Sequence, residues 1–146
     1  MPSVRGCNLP DDLLYDVDNH IWFQEPGDGN VKIGMTAVAT AMAGKLVAYT
    51  PKRVGRSVRA GKSCGTLESG KWVGPAKSAA GGEVVAVNED LVANPSLAND
   101  DPYVAGWLVI LKPEDWDSVK GTLVPGSDVA APYEAKMDSE GFAGCE

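Results

Sequence analysis

A mainly β fold, an all-β core with small helices in a flattened sandwich, is what three observations on this 146-residue chain predict. Glycine (17) and proline (10) are abundant, which favours many short elements joined by tight turns over a helical bundle. Short apolar or alternating runs lie between those turn residues, as strands require. Two Gly-flanked segments, Val58–Lys62 and Gly82–Val87, stand on either side of an exposed lysine, Lys71, as two strand layers. At this length one domain can bury a sizeable core without staples.

Taken in order, residues 1–14 read as an irregular N-terminal arm. Ile21-Trp22-Phe23-Gln24 is a strand, Pro26–Asn30 a turn, and Val31–Met35 alternates like a half-buried strand pairing back on the first. Thr36 is placed to cap an alanine-rich helix over Ala37–Ala43, with Gly44 at its C-terminal end. Leu46–Tyr49 is a strand, and Gly55, Gly61 and Gly65 punctuate the short segments after it. Glu83–Asn88 is a clear strand and Leu91–Leu97 a helical turn around Pro95. Trp107–Leu111 reads as a buried strand, and Pro113 opens a helix reaching about residue 120. A central domain over 15–120 is therefore expected. Residues 121–146 read as a C-terminal tail that either wanders or lies against the domain, and because the apolar pattern stops before Pro125, removing 125–146 is expected to leave the core folded.

Composition excludes several function classes. The formal charge of −7 and pI near 4.7 disfavour nucleic acid and anionic membranes, which demand basic patches, and suit a partner with a basic docking face. The N-terminus carries no signal-like apolar core, and no run is long enough to span a bilayer, so a soluble cytoplasmic monomer is expected. Three cysteines (7, 64 and 145) with no CxxC spacing argue against a disulfide framework or zinc site. The lone His20 gives no multi-histidine metal site and is assigned to fixing the first strand. No nucleophile elbow, phosphate loop or dinucleotide fingerprint occurs, so neither catalytic residues nor a metal are assigned, and the chain is read as no enzyme.

Chemistry concentrates at Thr66-Leu67-Glu68-Ser69-Gly70-Lys71-Trp72-Val73-Gly74. Strand character on both sides makes Ser-Gly-Lys a tight reversal, with Gly70 expected to supply positive φ. A hairpin tip holds its side chain away from the domain body. A long amine there suits covalent attachment of a cofactor; read alone it is equally an ordinary solvated lysine.

An ordered set of blocks then carries a resemblance over roughly residues 15–116: His20-Ile21-Trp22, Gly34-Met35-Thr36 with its helix and Gly44, Glu68-Ser69-Gly70-Lys71, Gly82–Glu89, and Asn94–Tyr103 closing with Gly106-Trp107-Leu108. The pattern resembles the lipoyl-carrying H protein of the glycine cleavage system. That resemblance implies a sandwich/barrelized hybrid of the lipoyl/biotinyl-domain type. It also implies (R)-lipoic acid joined as an amide to Lys71, with Glu68 helping the lipoylating enzyme recognise its target. Biotin is disfavoured, since biotinylated lysines usually sit between methionines. Lys71 is followed by Trp72-Val73-Gly74-Pro75 instead of the family's usual Ala-Ala-Ser-Asp. In this the chain is similar to the H-protein-like lipoate-binding proteins of the heterodisulfide-reductase-like sulfur oxidation pathway.

Three functions follow from the resemblance and its departures. The main expectation is a lipoyl carrier shuttling sulfur intermediates within a cytoplasmic heterodisulfide-reductase-like complex, loaded by a lipoate ligase or lipoate assembly enzymes. The alternative is a glycine cleavage H protein carrying an aminomethyl group. The third is an unmodified binding protein that kept the fold. Trp72 is a candidate contact for the arm or a partner, against a plain packing role. Cys64 reads as a small buried hydrophobe. Cys7 and Cys145, in Gly-flanked arms where thiols stay accessible, are candidate redox-active thiols, and the sequence leaves open whether they pair or are incidental.

Overall fold

The computed structural model describes residues 3–25 and 28–145. The chain opens with a small ribbon, β1 (Ser3–Val4) and β2 (Cys7–Asn8), turned by Arg5 and Gly6 at φ 51° and 82°. Positive φ at both central residues matches the twist of a two-residue hairpin. Then follow β3 (Leu14–Asp16), β4 (Ile21–Gln24), β5 (Val31–Met35), α1 (Ala37–Ala43), β6 (Leu46–Pro51) and β7 (Ser57–Val58). The long hairpin β8 (Lys62–Ser69) and β9 (Val73–Ser78) leads to β10 (Gly82–Val87), α2 (Glu89–Ala93) and α3 (Leu97–Asp100). The chain closes with β11 (Val109–Pro113), α4 (Trp116–Lys120), β12 (Val124–Pro125), a 3-10 turn (Gly126–Asp128) and α5 (Ala130–Glu140).

Seven strands form one sheet in the order β12-β3-β4-β5-β11-β10-β7, and β6-β8-β9 form another. The fold is the mainly β sandwich that the sequence predicts. Among the described residues the two sheets stay open and face each other as a sandwich of the lipoyl-domain type. Alternation explains the two cores. On β4, Ile21 and Phe23 point between the sheets and meet Leu46, Tyr49 and Leu67. Trp22, of opposite parity, joins a second cluster with Tyr15, Val38, Tyr133 and Met137. Trp22 sits opposite Gly34 in the register, and a side chain at Gly34 would collide with its ring.

Several boundaries move. The helix expected from Pro113 begins at Trp116, because β11 runs through Pro113 against β10. The expected turn at Pro26–Asn30 lies partly outside the described residues, at Pro26 and Gly27; beyond them the Asn30 N–H donates to Asp28 Oδ1 at 3.0 Å. The N-terminal arm is irregular only beyond the β1–β2 ribbon, and it packs into the core through buried Val4, Cys7 and Leu9. Residues 121–145 lie against the domain, the second of the two readings of the tail: Val129, Tyr133 and Met137, spaced by four, lie on one helical face and are fully buried, so the expected dispensability beyond Pro125 does not follow. Pro132 and the charged residues between them hide that spacing.

The segment beyond Pro125 is therefore structural. Each of those three side chains is worth about 2–5 kcal/mol when truncated in a core, against a total stability of about 5–15 kcal/mol. Removing residues 127–146 should abolish the cooperative thermal transition seen by circular dichroism; a truncated chain melting within a few degrees of the full one would show α5 to be dispensable.

Candidate functional site

Lys71 stands at the tip of the β8–β9 hairpin, exposed, with Glu68 and Val73 the last paired residues before it. The Ser69 N–H donates to the Trp72 carbonyl at 2.8 Å, leaving only Gly70 and Lys71 in the turn. Gly70 does not use the positive φ expected of it. The turn is held from below instead. The buried Ser69 hydroxyl donates to the Ala43 carbonyl at 2.6 Å and accepts the Lys71 N–H at 3.3 Å. Ala43 is the last residue of α1, so one side chain ties the hairpin tip to the helix end.

That helix end is built as the sequence predicts. Thr36 caps it by accepting the Ala39 N–H at 3.2 Å, and Gly44 closes it at φ 83° with its N–H on the Thr40 carbonyl. Gly44 also leaves room for the lysine: a Cβ there would stand 3.2 Å from Lys71 Cε. Asn99 locks the following turn, donating to the Gly44 carbonyl at 2.9 Å and accepting the Leu46 N–H at 2.9 Å.

Beside the tip opens a cleft of about 260 Å³ lined by Met35, Ala39, Met42, Leu67, Trp72 and Pro75. A larger groove of about 640 Å³ lies on the other side of α1, but the small cleft adjoins the hairpin. Trp72 is 38% exposed and folds over Gly74, so it both packs and lines the cleft. Glu68 is exposed on β8.

His20 and Glu140 form the polar end of the cleft. His20 Nε2 lies 2.8 Å from Glu140 Oε1, and Nδ1 lies 3.1 Å from the Tyr133 hydroxyl, itself 3.0 Å from Thr36 Oγ1. One proton arrangement satisfies the chain: neutral His20 donates from Nε2, Tyr133 donates to Nδ1, and Thr36 donates to Tyr133. Burial pushes the His20 pKa below its ordinary value, opposed by the bond to Glu140. The expected role of His20 in fixing the first strand is met here, together with a backbone bond from the Thr36 N–H to the His20 carbonyl at 3.1 Å.

The cysteines depart from expectation. Cys7 is fully buried and bonded to Cys145, their Cα atoms 5.1 Å apart, so these are not accessible thiols on loose arms. Arg5 reinforces the junction through Asp138 (2.5 Å) and the Phe142 carbonyl (3.1 Å). Cys64 is buried as expected, which pushes its thiol pKa up to about 12 and leaves it inert.

The family model for the glycine cleavage H-protein matches residues 13–136. The chain belongs to the glycine cleavage H-protein family. H proteins are non-catalytic lipoate carriers, and the chain is a carrier protein rather than an enzyme. It is 48% identical over 145 residues to glycine cleavage system H protein 5 of Aquifex aeolicus, covering 97% of each chain. It is 40% identical to H protein 2 of the same organism, covering 94% of this chain and 86% of that one. The crystal structure of a glycine cleavage system H protein from Mycobacterium marinum superposes with a TM-score of 0.73 at 36% identity, covering 90% of this chain and 98% of that one. No helix among the described residues is long and apolar enough to cross a membrane.

The hairpin pattern singled out Lys71, the H-protein resemblance added Glu68, and the departure from that family after the lysine drew attention to Trp72. None of the three pointed to Ser69 and Gly44 as positioning residues, or to Met42, Tyr133 and Glu140 around the cleft. Ser69 and Gly44 stood inside quoted motifs, but only the fold brings them together.

Two outcomes test this architecture. Ser69→Ala strips the buried Ala43 carbonyl of its hydroxyl donor and should lower stability by about 1–3 kcal/mol in denaturant titration, with fold retained. The depressed His20 pKa means the unfolded chain binds the proton more readily. Its contribution is therefore complete above about pH 6.5 and is lost as pH falls from there toward the folded value. Melting temperature should fall over that window, and His20→Gln should flatten the fall; identical pH profiles would remove His20 from the account.

Proposed function

We propose that Lys71 is the lipoylated residue and that the chain ferries a cargo between the active sites of separate enzymes on that arm. The observation that carries this reading is the exposed lysine on a tip tied to α1 through the Ser69 hydroxyl, beside an apolar cleft. The residues fit such a group. Gly44 withholds a side chain where Lys71 passes, and the cleft walls of Met35, Met42 and Trp72 suit an aliphatic chain. When bound, a lipoyl group supplies a dithiol–disulfide couple at the end of a long amide-linked tether. Ser69 holds the attachment point, while exposed Glu68 offers a carboxylate to the lipoate-attaching enzyme. No side chain of the cleft is placed as an acid or base for the cargo, because neutral His20 is committed to Tyr133 and Glu140.

For the cargo, the family and the names of the relatives favour an aminomethyl group within glycine cleavage. A second reading, sulfur transfer with a heterodisulfide-reductase-like complex in the cytoplasm, is favoured by one specific feature. The outgoing strand Trp72-Val73-Gly74-Pro75 puts an exposed tryptophan and valine beside the tip, altering the surface a partner meets. Aquifex aeolicus has at least two numbered H proteins similar to this chain, which leaves room for a carrier with another cargo.

Expression with a lipoate ligase should add one lipoyl mass to the wild type and none to Lys71→Arg, whose fold should persist because a tip side chain makes few core contacts. A lipoyl group on Lys52, Lys62 or Lys77 would overturn the assignment. The loaded protein, offered to a reconstituted glycine cleavage system and separately to a sulfur donor, decides the cargo. Glycine turnover without sulfur adducts supports the first reading; mass gains of one sulfur atom without turnover support the second.

A further inference from the structure

We propose that the Cys7–Cys145 disulfide is a redox site for the group carried on Lys71, reached along the outer face of α1. The inference rests on the reading of Lys71 as lipoyl-lysine.

Helix α1 is the ruler. At its first residue, Cys145 Sγ lies 3.7 Å from the Ala37 carbonyl oxygen. At its C-terminal cap, Lys71 Cε passes beside Gly44. Seven residues of helix separate these points, about 10 Å of axial rise, a span comparable to what an extended lipoyl chain covers beyond Lys71 Cε. The surface between is open. Thr40, Ala41, Asn99 and Asp100 line both the 640 Å³ groove that contains Cys145 and an adjoining depression of about 460 Å³ that contains Gly44. The two depressions are therefore one track. Its floor at positions 37, 41 and 44 is Ala, Ala and Gly, and Asn99, bonded to the Gly44 carbonyl, stands along its side.

The two sulfurs are not equivalent. Cys7 is fully buried, whereas Cys145 is partly exposed and lines the groove, so Cys145 is the sulfur open to attack. Cys145 Sγ exchanges its bond to Cys7 for a bond to one arm sulfur, and Cys7 leaves as a thiolate that takes up a proton. The second arm thiol then displaces Cys145, which leaves and is protonated in turn. The arm's dithiol gives up two electrons and two protons and closes to its ring disulfide. Cys7 and Cys145 receive both and end as thiols. Asp12, Asp100 and Asp101 line the groove and oppose an incoming thiolate. The tether offsets this by holding the arm at an effective concentration of about millimolar. The carrier thereby owns a second two-electron store, paid out through the covalent link between its N-terminal ribbon and its C-terminus.

The test uses the full-length lipoylated protein, with attachment at Lys71 established by peptide mass before any reductant is added. Absence of the lipoyl mass at that stage overturns the carrier reading and this proposal with it. The arm is reduced with NADH and a dihydrolipoamide dehydrogenase, the reaction is quenched in acid, and thiols are counted by maleimide labelling. Cys7 and Cys145 should become labelled with the arm, at a rate independent of protein concentration. In Lys71→Arg the labelling of both cysteines should be at least about tenfold slower. Cys7→Ser, reduced and then gently oxidised, should yield a tryptic peptide containing Lys71 joined to the one containing Cys145. A fully labelled arm with Cys7 still bonded to Cys145 overturns the proposal. So does labelling that proceeds equally in Lys71→Arg or scales with protein concentration.

Discussion

The bond from the Ser69 hydroxyl to the Ala43 carbonyl is the constraint on which the site depends. A two-residue hairpin tip on its own is free to sway, because its backbone has few neighbours. Here the tip is fixed to the end of α1 by a hydroxyl buried where water cannot compete for the acceptor. The helix is fixed in turn: Thr36 caps its start, Asn99 holds its end, and the Tyr103 hydroxyl accepts the Ala37 N–H at 2.9 Å. A flexible tether on a rigid stalk follows, which suits a carrier whose cargo must reach several partners while its root stays in one place.

Charge is distributed in a way the net value conceals. Eight of the thirteen Lys and Arg residues fall between residues 45 and 77, where Glu68 is the only acid. Six of the eight, Lys52, Arg53, Arg56, Arg59, Lys62 and Lys77, gather at the end of the β8–β9 hairpin away from the tip, where Lys62 pairs with Ser78 and Ser63 with Lys77. That basic end lies about 20 Å of strand from the tip, beyond the screening length at physiological salt, so it acts on a partner that covers the base of the hairpin as well as Lys71.

Local signals were legible where the chemistry is local. Thr36, the alanine run and Gly44 specify α1 because cap, propensity and termination all act within a few residues. The hairpin was legible for the same reason, although Gly70 reached its turn without the positive φ that motivated the reading. What stayed hidden depends on distance along the chain. Cys7 and Cys145 are separated by 138 residues, and nothing in their neighbours marks them as partners. The buried face of α5 was equally obscure: three apolar residues spaced by four, with a proline between two of them, look like a tail until Tyr133 finds His20 and Thr36. Closing so long a loop is worth about 5 kcal/mol in the chain-entropy account of disulfides, enough to matter for a helix with so few buried side chains.

The C-terminal segment therefore has consequences beyond stability. Glu140 at the end of α5 forms one wall of the cleft beside Trp72, and Cys145 five residues later forms one wall of the groove on the opposite side of α1. No other element among those bordering the cleft and the 640 Å³ groove contributes a charged side chain to one and a sulfur to the other. Lys71 passes beside Gly44 at the end of α1, and the depressions on both sides of that helix are lined by α5 or by the turn that follows it. Whatever loosens the junction of Arg5, Asp138 and the disulfide must alter both depressions at once. The end of the chain that looked least patterned is thus the part that couples the surroundings of the arm to the covalent state of the fold.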